Sequence, residues 1–351
     1  MSIKNFTFAV LVGFLFSNCT DDELCSDIAN KVEDVIDWDK PSNFPELTYQ
    51  FDRNQLSSSR FELGKKLFYD TRLSEDNTIS CSSCHIKEYA FSDGGKIFSV
   101  GIDGHIGKRN APAIQNMAFN AEYFYDGASN NLEMVAIVPI HNEIEMRETL
   151  PTILDKLRVD TEYQEMFKAA YNDVKITSTS MLKALAQYMT LLISSNSKYD
   201  KYIRKEKGGK LSNLERKGLE LFSQKCSSCH SSDLFTDNSF INNGLPINNL
   251  LNDKGREEVS GEEEDRYKFK VSSLRNIAVT APYMHDGSLA TLEDVLDFYD
   301  SGVIDSPSLD SQLRNKETKR LGIPLSVEEK KAIIAFLHTL TDYDFINNPE
   351  F

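Results

Sequence analysis

Cys81-Ser82-Ser83-Cys84-His85 and Cys226-Ser227-Ser228-Cys229-His230 are one five-residue stretch placed twice in the chain. Two thiols three positions apart can add to the two vinyl groups of one haem, and the histidine after the second thiol is then placed to ligate the iron. The same thiols would serve a Cys-x-x-Cys redox pair or half a zinc site. Neither explains a histidine after both pairs, and zinc knuckles would not normally sit 145 residues apart. The expectation is one covalent c-type haem at each motif. Cys81, Cys84, Cys226 and Cys229 are then the attachment points, and His85 and His230 the proximal ligands.

Working outward, more than the motif recurs. Leu63-Gly64-Lys65-Lys66-Leu67-Phe68 precedes the first motif as Lys217-Gly218-Leu219-Glu220-Leu221-Phe222 precedes the second, each with the apolar spacing of a helix that ends near the cysteines. Downstream, Arg109-Asn110, Tyr125-Asp126-Gly127 and Leu132-Glu133 are answered by Arg275-Asn276, His285-Asp286-Gly287 and Leu292-Glu293. A shared order of elements argues for duplication of one haem unit. Helical spacing over 149–170 and 178–195, and a capping box of Ser326 with Glu329, predict a mainly α fold of two cytochrome c-like haem domains with long loops. Strand signals are few. The Lys205–Lys210 stretch, with Gly208 and Gly209, reads as a linker. The domains are therefore expected at 46–204 and 205–351.

A chain of 351 residues at 40% hydrophobic content is long enough for two such domains. At the amino terminus, Lys4 and an apolar run from Phe6 to Phe16 are too short to span a bilayer and suit a signal-peptide core over 1–18. Cys19 then resembles the acylated first residue of a bacterial lipoprotein, although Asn18 departs from the usual small residue before it. Residues 19–45 read as a tether. The expected place is outside the cytoplasm, periplasmic or held to a membrane by lipid. With Cys19 and Cys25 as the remaining thiols, there is no disulfide framework. The formal net charge of −15 argues against nucleic acid and favours a cationic small protein as partner. The acidic run from Glu257 to Asp265 reads as a solvated loop.

Taken together, Leu63 to Asp70, both motifs, Gly107 to Pro112, Phe124 to Gly127, Pro139 to Met146 and Leu274 to Ser288 resemble the bacterial di-haem cytochrome c peroxidase family, over nearly all of residues 50–345. The resemblance implies that the amino-terminal haem reduces hydrogen peroxide to water with electrons passed through the carboxy-terminal haem from a small cytochrome or other redox protein. It implies Glu145 as the acid–base group over the peroxide-binding face. It also implies a calcium ion held by Asn110, Thr280 and Pro282 through neutral oxygens. A homodimer is common in the family.

Three positions depart from the family pattern. Ile102 stands where many members have a histidine that closes the first haem, and His105 in the next turn reads as a solvent-facing loop residue. Tyr299 stands where the second haem usually has its methionine ligand. A tyrosinate there would lower the potential, although helical spacing with Leu292, Val295 and Leu296 also suits a core tyrosine. Tyr125 stands where a tryptophan usually lies between the haems, and relays oxidising equivalents in the same reading. Tyr299 points to a subgroup that resembles the methylamine-utilisation di-haem enzyme, which oxidises a partner protein. Peroxidase, protein-modifying oxidase and non-catalytic electron carrier are the three functional readings, in that order. His141 and His338 have no role in any of them.

Overall fold

The computed structural model describes residues 34–172 and 175–351. The signal-peptide stretch, Cys19, Cys25 and the first part of the tether lie outside them. The fold is helix-rich with little sheet: the strands Phe240–Ile241 and Phe269–Lys270 pair antiparallel as a two-stranded ribbon. Among the described residues no helix is long and apolar enough to cross a membrane.

Each half is built on a pair of packed helices. In the first half Ser58–Tyr69 crosses Ser178–Leu191, and in the second Asn213–Lys225 crosses Val327–His338. Side-chain caps start all four: Ser57 accepts from the Arg60 amide, and Thr177, Ser212 and Ser326 open capping boxes. One glycine sets each crossing. A Cβ on Gly64 would lie 2.0 Å from the Ala184 carbonyl oxygen, and a Cβ on Gly218 would lie 1.9 Å from that of Ala332. Only a residue without a side chain lets the backbones approach this closely. Around these pairs two separate apolar clusters form, one including Leu63, Leu67, Phe68 and Tyr188, the other Leu221, Phe222, Ile333 and Phe336.

The repeat is structural in detail, and it corrects the pairing of one element. Asn116 and Asn276 both take left-handed backbone and precede one-turn helices, Met117–Phe119 and Ile277–Val279. Seven residues on, Tyr123 and Tyr283 each return a hydroxyl bond to the carbonyl of that turn, Met117 at 3.3 Å and Ile277 at 3.0 Å. The partner of Arg275-Asn276 is thus Gln115-Asn116, and Arg109-Asn110 has a separate role. A shared dipeptide misled the pairing. The asparagine that matters is the one whose short polar side chain tolerates the left-handed turn.

Other expectations shift in smaller ways. The 149–170 helix is two helices, Leu150–Arg158 and Thr161–Tyr171, because Asp160 leaves helical geometry and caps the second with its carboxylate. Asn213–Lys225 ends at the second motif, whereas Ser58–Tyr69 stops well short of the first. The acidic run is a one-turn helix and a 3-10 turn laced by ion pairs, Glu257 to Arg266 at 2.6 Å and Asp265 to Lys268 at 3.0 Å. Residues 34–45, assigned above to the tether, pack onto the body: Phe44 is buried edge-on against Phe119, and Trp38 lies against the same cluster. Gly209 packs on the backbone of Lys201 and Tyr202, so the linker stretch is a tight turn.

Between the halves sits a fully buried ion pair. The Arg275 guanidinium donates to both oxygens of Asp200, at 2.7 and 2.9 Å, and to the carbonyls of Ser194 and Asp233. Burial alone would push the Asp200 carboxyl up, but Arg275 outweighs it and holds it near about 2. Gln115, at the equivalent place in the first half, donates to the Arg275 carbonyl at 2.7 Å. The seam is therefore polar but fully paired, which is the condition for burying such groups.

Candidate haem cavity

One continuous cavity of about 760 Å³ lies between the two helix pairs, and both Cys-x-x-Cys-His motifs line it. Its wall is largely apolar, with Phe68, Ile114 and Met189 on one side and Phe222, Leu296 and Ile333 on the other. Cys81 closes onto a 3-10 turn, Cys81–Ser83, whereas Cys226 caps the helix that precedes it.

The two histidines are prepared alike. His85 Nδ1 lies 2.9 Å from the Phe91 carbonyl oxygen, and His230 Nδ1 lies 3.0 Å from that of Phe235. A carbonyl can only accept, so Nδ1 carries the proton and Nε2 keeps its lone pair. Burial lowers both imidazole pKa values and so favours the neutral, metal-binding form. Phe91 and Phe235 reach these carbonyl positions with φ of 60° and 56°. Such backbone costs roughly 1–2 kcal/mol per residue. Repeated in both halves, it is retained because it orients the imidazole.

The four motif thiols are unpaired. Burial pushes Cys81 and Cys226 up to about 12. That direction is opposite to the thiolate a redox pair needs. Neutral thiols beside an apolar cavity, with a histidine lone pair in the same wall, fit a haem added through its vinyl groups.

Besides its motif, each half contributes a different polar group to the cavity wall. Glu145 lines the cavity and takes a 2.6 Å hydrogen bond from Asn142 Nδ2 on Oε1, which leaves Oε2 free. Burial raises its carboxyl above the ordinary range, and the Asn142 bond offsets this only in part. The Gly101-Ile102 backbone is laid directly on this segment: Ile102 N donates to the Glu145 carbonyl at 2.9 Å, and a Cβ on Gly101 would lie 2.1 Å from the Ile144 carbonyl oxygen. Ile102 is fully buried. His105 is exposed at the tip of the hairpin closed by Val100 and Ile106, and the wall of the cavity does not include it. The solvent-facing reading of His105 is the one the geometry supports.

In the second half Tyr299 lines the cavity from a π-helical turn, Phe298–Gly302, that continues Leu292–Asp297. Its hydroxyl is 3.4 Å from Asn243 Nδ2, which is also 3.6 Å from Met284 Sδ. Burial raises the Tyr299 phenol pKa. Tyr125 lines the same cavity, and its carbonyl accepts the Lys270 amide at 2.7 Å, tying the two halves together. Burial raises the Tyr125 phenol too.

The comparisons with known proteins agree with this architecture. A profile of the di-haem cytochrome c peroxidase family matches residues 58–208. The chain is 33% identical over 290 residues to the methylamine utilization protein MauG of Methylorubrum extorquens, covering 82% of this chain and 79% of that protein. It is 31% identical over 305 residues to the cytochrome c551 peroxidase of Pseudomonas aeruginosa, covering 85% and 83%. The chain belongs to the di-haem cytochrome c peroxidase family. A crystal structure of a MauG-like protein associated with microbial copper homeostasis superposes with a TM-score of 0.80, at 33% identity, over 90% of this chain and 99% of that one. Membership makes the protein an oxidoreductase of the peroxidase type and implies two haems.

Asn110, Thr280 and Pro282 all line the cavity near the junction of the halves. Asn110 Nδ2 donates to the Lys96 and Ile97 carbonyls at 3.0 and 3.1 Å, so its side-chain oxygen is the end available to a cation. Arg109, next to it, pairs with Asp126 and, at 2.6 Å, with Asp253. Asn142, Asn243, His285 and Lys270 escaped the sequence reading. His285 stacks on Phe269 at 3.7 Å beside the cavity. Asn142 had a signal, lying three residues before Glu145 as a turn residue does. Asn243, by contrast, comes from a loop with no motif. His141 and His338 are exposed.

Proposed function

We propose that the chain reduces hydrogen peroxide to water in the first half of the cavity, with electrons from a small redox protein entering through the second. The observation that carries this reading is the Glu145 carboxylate, held by Asn142 in the wall of the cavity that the His85 motif lines. Cys81, Cys84 and His85 would hold a haem here, which would supply the redox chemistry for peroxide reduction. Glu145 Oε2 takes the proton from one peroxide oxygen and returns it to the other, so that two electrons and two protons per peroxide leave two waters. Asn142 keeps Oε1 engaged and the carboxylate aimed into the cavity. The apolar wall keeps bulk water from competing for that proton. Loss of turnover in Glu145→Gln with both haems retained supports the assignment, and unchanged turnover removes it.

A second reading, an oxidase that modifies a partner protein, is favoured by Tyr299 in the cavity wall and by the buried Ile102, which leaves the first iron without a histidine closing it. It predicts slow turnover with small cytochromes and a long-lived oxidised state after peroxide. Tyr125, between the halves, is the relay in both readings.

The same proposal divides the chain into haem domains at 46–204 and 205–351. It gives Asn110, Thr280 and Pro282 a calcium ion, the asparagine by its side chain and the others by carbonyls, which suits a hard cation. Export, a lipid on Cys19 and pairing of two copies complete it. Intact mass and sedimentation of the mature protein test these last three.

A further inference from the structure

Four cationic side chains line the cavity: Lys108, Arg109, Lys270 and Arg275. Three of them already hold carboxylates. Lys108 meets Glu258 at 3.0 Å, Arg109 meets Asp253 at 2.6 Å and Arg275 meets Asp200 at 2.7 Å. Lys270 is different. Its Nζ donates to the Glu122 backbone carbonyl at 2.8 Å, and among the described residues no carboxylate lies within ion-pair distance of it. The nearby Glu122 carboxylate is turned instead to Arg256, at 3.1 Å. Lys270 is half-buried at the cavity wall, and this one bond to a carbonyl leaves its ammonium without a charged partner.

Lys270 is also fixed at the junction of the halves. It sits in the Phe269–Lys270 strand, opposite Phe240, and its amide bonds the Tyr125 carbonyl. Burial pulls its pKa down to about 8, against an upward pull from the Glu122 charge. A buried charge without a partner is costly, and such charges are normally paired. A haem brings two propionate carboxylates, which need a cation on entering the same apolar cavity.

We propose that Lys270 is the anchor for a haem propionate at the junction of the two halves. The inference rests on the di-haem reading above. Its chemistry is a charge-assisted N–H···O hydrogen bond from an ammonium to a carboxylate, with Tyr125 alongside. Loss of the cation stabilises the more positive, oxidised iron, so the propionate-bearing haem becomes harder to reduce.

The test is a redox titration with resonance Raman on the holoprotein, comparing wild type with Lys270→Met, Lys270→Gln and Lys270→Arg. Haem content is measured first: a wild type without two haems overturns the di-haem reading itself, independently of Lys270. With two haems present, the expected result is a downward shift in the midpoint potential of one haem in Lys270→Met, with a shift of the propionate-bending band. Lys270→Arg restores both. If Lys270→Met does not take up haem, Lys270→Gln, which keeps a donor without the charge, carries the measurement with the same expected shifts. Unchanged potentials overturn the proposal, and so does a potential shift without a change in the propionate band, because the lysine then acts at a distance and touches no propionate.

Discussion

The two halves of the molecule repeat the groups that hold the motif histidine and differ in the other polar groups that line the cavity. Beneath each motif the solution is repeated residue for residue: Gly64 and Gly218 at the helix crossing, Phe91 and Phe235 in left-handed backbone with their carbonyls on the histidine, Asn116 and Asn276 before the turn that Tyr123 and Tyr283 pin. The other polar groups of the cavity wall differ. The first half presents Glu145 with Asn142, and the second presents Tyr299 with Asn243 and Met284. Holding a histidine neutral and aimed is a fixed geometric requirement, so duplication preserves it. In the proposed function the groups that differ decide what each iron does, and there the copies are free to specialise.

Substitutions that make one half imitate the other, or remove what sets them apart, sharpen this contrast. The largest effect is expected from Glu145→Gln, which removes the group proper to the first half: peroxide turnover falls by about 10²–10⁴-fold, with absorbance of both haems intact. Arg275→Gln gives the second half the residue of the first, Gln115, and leaves Asp200 buried without its cation. Denaturant titration is expected to show a loss of about 3–5 kcal/mol. Gly64→Ala and Gly218→Ala attack the shared element. Each forces a Cβ into a helix carbonyl and is expected to cost at least about 1–3 kcal/mol by the same titration, and similar losses in both would show that the crossings are equivalent.

The smallest effects concern protonation. Glu145 acts as a base only when ionised, and burial raises its pKa. Turnover in the wild type is therefore lost as pH falls through a value above the ordinary carboxylate pKa of 4.5. In Asn142→Leu, where the bond that favours the charged form is gone, this acid limb moves to higher pH. A pH–rate profile of the two proteins checks both statements, and a limb at the same place in each would detach Asn142 from Glu145.

Much of this was readable from the chain alone, for identifiable reasons. The motifs point to haem attachment because covalent chemistry imposes a strict spacing, and the helix pairs follow from periodicity and caps such as Ser212 and Ser326. The pairing of Arg109-Asn110 with Arg275-Asn276 went astray because a dipeptide carries no backbone angle. The left-handed turn, with the tyrosine that pins it seven residues on, distinguishes Asn116 as the true counterpart. Lys270 and Asn243 were invisible for a different reason. Their importance lies in which partners they lack or share across the cavity, and such relations are created by the fold. The packing of Trp38 and Phe44 onto the body was hidden by the polar residues around them.

Low-temperature electron paramagnetic resonance of the fully oxidised holoprotein tests the central claim most directly, since it reports the coordination of each iron without reference to any assay. The difference between the two halves predicts one high-spin haem, in the half of Glu145 where Ile102 is buried and His105 is exposed, and one low-spin haem in the half of Tyr299. Two low-spin haems would contradict it, because a residue of the first half would then close an iron that the geometry leaves open.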